Sequence, residues 1–172
     1  MATYLIGFRA PLTGFDQLVP AGYRLIPIED RHLTLVYIGP LRRLTEIVKA
    51  LETLEGAGLL TLTFRGLTAL PSLSKPRYLA VPPVEDSAHL LERLRCTLLN
   101  ALEHVPLNER YSVFKPHVSI ARLRRKSSFE LLRVVERSIR ASRRVREEMR
   151  VYTLSLLKAE RGSISEVFSV QL

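Results

Sequence analysis

Two stretches, His32-Leu33-Thr34-Leu35 and His117-Val118-Ser119-Ile120, decide how the chain is read. Each places a histidine and a hydroxyl two residues apart, with an aliphatic residue after each. Successive side chains of a β-strand point to opposite faces, so His32 and Thr34 project together while Leu33 and Leu35 project the other way. The same parity pairs His117 with Ser119. Alone, either histidine reads as an ordinary strand residue with a satisfied hydrogen bond; the recurrence of the string at the head of two strand-like runs singles the pair out.

Around these strings the two halves of the chain repeat an order. TYLIGFR (3–9), GYRLIPI (22–28) and HLTLVYIG (32–39) are β-branched, aromatic and Leu-rich runs broken by Gly, Pro and Asp, as strands are. Leu44, Ile47, Val48, Leu51 and Leu54 then recur at helical spacing before Gly56 and Gly58. LLTLTFRGLTAL and RYLAV predict two more strands, connected around Lys75 and Pro76. Leu91, Leu94, Leu98, Leu102 and Val105 predict a helix from Ser87 to Val105, ended by Pro106.

The second half runs in parallel. HVSIARL predicts a strand, and Ser127 with Glu130 resembles a capping box opening a helix through Phe129, Leu132, Val135 and Ile139. Arg140, Arg143, Arg144 and Arg146 read as the surface of that helix, with Glu147 and Glu148 alongside. VYTLSLL and ISEVFSV close the chain around Gly162. HLTLVYIG matches HVSIARL, LTLTFRGLTAL matches VYTLSLLKAERG, and RYLAV matches VFSV. The predicted architecture is α+β and bilobal: two antiparallel-rich sheets flanked by helices around a central cleft, related by a pseudo-two-fold axis. Residues 1–172 form a single domain of two interleaved lobes.

Composition fits this. A chain of 172 residues, 47% hydrophobic and 25% charged, is long and apolar enough for one sizeable core. No run approaches the ~20 apolar residues of a membrane span, and MATYLIGFRAPLTG lacks the basic-then-apolar design of a signal peptide. A soluble, cytoplasmic monomer without membrane association is expected. Cys96, the single cysteine, cannot form an intramolecular disulfide and lies in no Cys/His pattern that suggests a metal. The net charge of +9 favours a polyanionic partner, nucleic acid foremost, or serves solubility alone.

If the two strands meet, two imidazoles and two hydroxyls face one cleft. One neutral imidazole can take a proton from an attacking hydroxyl or water while the other, protonated, gives one to a departing oxygen. The hydroxyls can hold the non-bridging oxygens of a phosphodiester. This chemistry calls for no metal and no cofactor. His89 and His104, on the second helix, have no comparable context.

In these motifs the chain resembles the 2H phosphoesterases, specifically their RNA 2′,3′-cyclic phosphodiesterase branch, also called the 2′-5′ RNA ligase or LigT-like family. HLTL is similar to that family's first signature and PHVSIAR to its second, with Ser119 in place of the usual Thr. YLIGFRAP and LSLLKAERG resemble its first and terminal strands, so the likeness spans nearly the whole chain. It implies metal-independent hydrolysis of RNA 2′,3′-cyclic phosphate ends, or of cyclic nucleotides, to 2′-phosphomonoesters. His32 would be the general acid and His117 the general base, with Thr34, Ser119 and Arg122 binding phosphate.

Strict alternation, however, sends Arg122 to the face opposite His117. Lys115 reads as a solvated side chain, and Arg42, Arg43, Arg124, Arg125 and Lys126 as two basic rims flanking the cleft. Tyr4, Phe8, Tyr37 and Phe114 read first as core aromatics. The alternatives are 2′-5′ RNA ligation, which would use the same groups in reverse, and RNA-end binding without physiologically relevant catalysis.

Overall fold

The computed structural model describes residues 2–108, 113–124 and 128–172. Ten strands and three helices follow one another as β1 (Thr3–Arg9), β2 (Tyr23–Leu25), β3 (His32–Gly39), α1 (Leu44–Glu52), β4 (Leu60–Arg65), β5 (Thr68–Ser72), β6 (Lys75–Val81), α2 (Glu85–Ala101), β7 (Val118–Leu123), α3 (Phe129–Ser142), β8 (Arg146–Val151), β9 (Thr153–Glu160) and β10 (Ser163–Gln171). The main sheet runs β10-β9-β1-β3-β7-β6-β5, with β2 also pairing β7, and every pairing is antiparallel. β4 and β8, one from each half, form a separate two-stranded sheet.

Much of each apolar stripe read from the sequence faces the core, but Leu44 of α1 and Phe129 of α3 are exposed. Ile47, Leu51 and Leu54 are buried at α1, and Leu91, Leu98, Leu102 and Val105 along α2 and the turn after it. A fully buried side chain of this kind contributes about 1.5–3 kcal/mol. Helix α1 lies against β9 and β10, and α2 against β3 and β4. Among the described residues no helix is long and apolar enough to cross a membrane.

Several expectations are corrected. RYLAV, in β6, does not correspond in space to VFSV: β6 borders β7, but the matching place beside β3 is taken by β1, and β10 lies at the outer edge. LTLTFRGLTAL is split at Gly66, whose φ of 69° turns the chain out of the β4–β8 sheet and into the main one. Lys75 and Pro76 belong to β6 itself, leaving a turn at Leu73 and Ser74. Arg146 opens β8 rather than extending α3, because its strand pairs Arg65 through Leu60. Helix α2 ends at Ala101, although the chain beyond it still buries Leu102 and Val105. The helix cap at Ser127 lies outside the described residues; Ser128 caps α3, its hydroxyl accepting from the Leu131 N–H at 3.2 Å.

Candidate active site

β3 and β7, the strands of the two motifs, pair at one residue pair. Leu33 of β3 and Val118 of β7 are opposite each other, both fully buried. Continuing the antiparallel register one residue either way sets His32 opposite Ser119 and Thr34 opposite His117. The pseudo-two-fold axis therefore passes through this pair, and both imidazoles and both hydroxyls lie on the face opposite the two aliphatic side chains.

The imidazoles are held alike. His32 Nδ1 lies 2.8 Å from the Asp30 carbonyl oxygen, and His117 Nδ1 lies 2.8 Å from that of Lys115. A carbonyl only accepts, so each Nδ1 donates to the oxygen two residues upstream, leaving Nε2 as the working atom of each ring. Lys115 thus contributes its backbone while its side chain is exposed, as read from the sequence.

Arg122 is not where alternation puts it. In the β6–β7 ladder Ala80 pairs Ser119 and Leu79 pairs Ala121, so Ile120 is an extra residue, a β-bulge. The bulge makes Ile120 and Ala121 a buried doublet and returns Arg122 to the face of His117 and Ser119. The other lobe does the same: Gly7 pairs Thr34 and Ile6 pairs Val36, making Leu35 the extra residue and Leu35–Val36 the buried doublet. Tyr37, half-buried, is thereby the counterpart of Arg122. Of the other aromatics, Phe8 is buried in the core, and Tyr4 and Phe114 pack against it.

The bulge in β3 depends on Gly7. A Cβ at that position would stand 2.0 Å from the Leu33 carbonyl oxygen and 3.2 Å from the Thr34 Cα. Any side chain there would push apart the strand carrying His32 and Thr34.

Three further arginines lie around the site without belonging to the motifs. Arg9 pairs His32 across β1–β3, and its guanidinium donates to the carbonyls of Glu29 and Ile164. Arg31, only 1% exposed, donates to the carbonyls of Leu12 and Ile26 and forms a forked ion pair with Asp16 at 2.8 and 3.1 Å. Arg24 of β2 lies directly opposite Arg122. Strand parity in TYLIGFR could have found Arg9. Nothing in IEDRHLTL marks Arg31 as a buried residue.

Burial pushes the His32 pKa below the usual histidine value, aided by the nearby His117 and Arg9, against the raising effects of the hydrogen bond to Asp30 and its carboxylate. The two arginine rims differ as well. Arg43 donates to the His104 carbonyl at 2.7 Å, and Arg42 is exposed. On the other side, Arg124 lines a depression with Arg24, Arg122 and Leu123. Arg125 and Lys126 lie outside the described residues. His89 and Cys96 lie elsewhere, on the outer face of α2. Among the described residues no three His, Cys, Asp or Glu side chains converge as metal ligands would.

Comparison with known proteins agrees with this fold. The family model described as the 2′-5′ RNA ligase superfamily matches residues 20–163. Among solved structures, the chain is similar to TT0787 of Thermus thermophilus (20% identity, 99% of this chain and 97% of that one, TM-score 0.68). It is also similar to E. coli LigT complexed with 3′-AMP (18% identity, 99% and 97%, TM-score 0.65), and to the MHV ns2 PDE domain (14% identity, 93% and 100%, TM-score 0.60). No curated protein sequence matches.

Proposed function

Because the chain belongs to the 2′-5′ RNA ligase superfamily of 2H phosphoesterases, we propose that it hydrolyses RNA 2′,3′-cyclic phosphate ends to 2′-phosphomonoesters with His32 and His117 as paired acid and base. The observation that carries the reading is the clamped pair itself: two imidazoles on adjoining antiparallel strands, each with Nδ1 bound to a carbonyl and Nε2 left for chemistry.

Water attacks phosphorus in line with the P–O3′ bond while His117 Nε2 takes its proton. The P–O3′ bond breaks, and O3′ receives the Nε2 proton of His32, giving a 2′-phosphate and a 3′-hydroxyl. His32 then regains a proton and His117 loses one, restoring the starting pair. The assignment of acid and base follows the family likeness. The depressed pKa of His32 is compatible with it, since the anionic cyclic phosphate favours the charged imidazole and loads the acid as substrate binds. The Thr34 and Ser119 hydroxyls, with the Arg122 guanidinium, hold the non-bridging oxygens, and their fixed donors act on the charge that builds there.

The test is product analysis. EDTA-treated protein should convert an oligonucleotide ending in a 2′,3′-cyclic phosphate to the 2′-phosphate. His32→Ala and His117→Ala should each lower turnover by about 10²–10⁴-fold with unchanged Tm. Near-normal turnover by either folded variant overturns the mechanism, and joined RNA in place of the 2′-phosphate overturns the hydrolytic direction.

A further inference from the structure

We propose that Arg24 and Arg124, with Arg122 at the mouth, form a subsite for the phosphodiester immediately upstream of the reacting terminal nucleotide, so that RNA chains are preferred over cyclic mononucleotides. This rests on the cyclic phosphodiesterase reading above. The three arginines line a depression of about 460 Å³ with Leu123, at the C-terminal end of β7, the strand that carries Ser119. Arg24 lies opposite Arg122, three residues beyond Ser119 along β7, and Arg124 two residues further, so both stand past the Ser119 hydroxyl.

The charges in this groove lack an internal answer. Arg24 and Arg122 are directly opposed on neighbouring strands, an arrangement that costs stability when no anion intervenes. Among the described residues none of the three arginines has a carboxylate within ion-pair distance. Arg122 is steadied instead by the ring of Tyr78, with its guanidinium carbon 5.9 Å from the centroid.

The frame is fixed. The Arg124 N–H donates to the Gly22 carbonyl at 3.0 Å, and the Ile26 N–H donates to the Ile120 carbonyl of the bulge at 2.8 Å. Beside Arg24, the Tyr23 hydroxyl donates to the Pro76 carbonyl at 2.5 Å, and burial pushes its pKa up to about 12, so it stays a donor. An uncompensated cationic groove on the strand that carries Ser119 suits the next phosphate of the same chain. The opposite lobe has Tyr37 in the place of Arg122.

The experiment compares kcat/KM for a nucleoside 2′,3′-cyclic phosphate and for a dinucleotide ending in one, using wild type, Arg24→Gln, Arg124→Gln and the double variant. Wild type should favour the dinucleotide. Each substitution should reduce that preference about tenfold, through KM, and leave the mononucleotide rate unchanged. The salt slope of log kcat/KM on the dinucleotide should flatten by about 0.7 per arginine. A folded double variant that keeps the full preference overturns the subsite, as does a wild type with none. Failure of wild type to turn over either substrate defeats the functional reading instead. The groove is then decided by titration with a labelled oligonucleotide ending in a 2′-phosphate: weaker, less salt-dependent binding by the double variant supports it, and unchanged binding overturns it.

Discussion

β3 and β7 carry the same device, yet they fix it by different means. Both clamp a histidine to the carbonyl two residues back, follow the hydroxyl with a bulged residue, and bury a doublet behind it. The residue before the histidine differs: Pro116 in one lobe and Arg31 in the other. Proline locks its own φ and holds Lys115 extended, so the clamping carbonyl of the second lobe is set covalently. In the first lobe the same carbonyl is set by side chains. Arg31 is tied to Leu12, Asp16 and Ile26, while Asp30 Oδ1 accepts the Ile164 N–H at 2.8 Å. One geometry thus rests on a local restraint in one lobe and on long-range contacts in the other.

The largest effect that would test this contrast is Asp16→Ala. It leaves the Arg31 guanidinium buried without its carboxylate, and should cost about 3 kcal/mol in denaturant unfolding while lowering turnover. Pro116→Ala, which removes only a restraint on the chain, should cost under about 1 kcal/mol. Equal losses would erase the distinction between the lobes. Smaller again is the effect of the hydroxyls. Thr34→Val and Ser119→Ala should each lower kcat by about 10–100-fold, the range of one hydrogen bond to a charged group, with Tm little changed. A hydroxyl whose removal leaves kcat intact does not hold the phosphate.

The sequence made the symmetric part of this site legible and left the asymmetric part hidden. His32, Thr34, His117 and Ser119 could be placed on one face because strand parity is a local rule, and the helix stripes at Ile47, Leu51, Leu91 and Leu98 could be read from period alone. Strict alternation puts Arg122 on the wrong face because a bulge is a property of two strands: nothing in HVSIARL marks Ile120 as unpaired until Ala80 and Leu79 are beside it. For the same reason β1, rather than β10, came to mirror β6, a choice of neighbour that strand composition does not encode. Arg31 escaped notice because a charged residue between Asp30 and His32 reads as solvent-facing until its partners at Leu12, Asp16 and Ile26 are known.

The finest test of the contrast lies on the pH axis. With His32 as the acid, the residual kcat/KM of His117→Ala requires protonated His32 in the free protein, so that rate must fall as pH rises through its pKa. Burial with help from Arg9 depresses that pKa, so the falling limb should lie below the ordinary histidine value of about 6.5. Bound anionic phosphate works in the opposite direction, so the corresponding limb in kcat should stand at higher pH than in kcat/KM. The residual activity of His32→Ala should lack that falling limb. His117→Ala should keep only the falling limb. If the two variants show the reverse, acid and base exchange places, and the more protected lobe supplies the base.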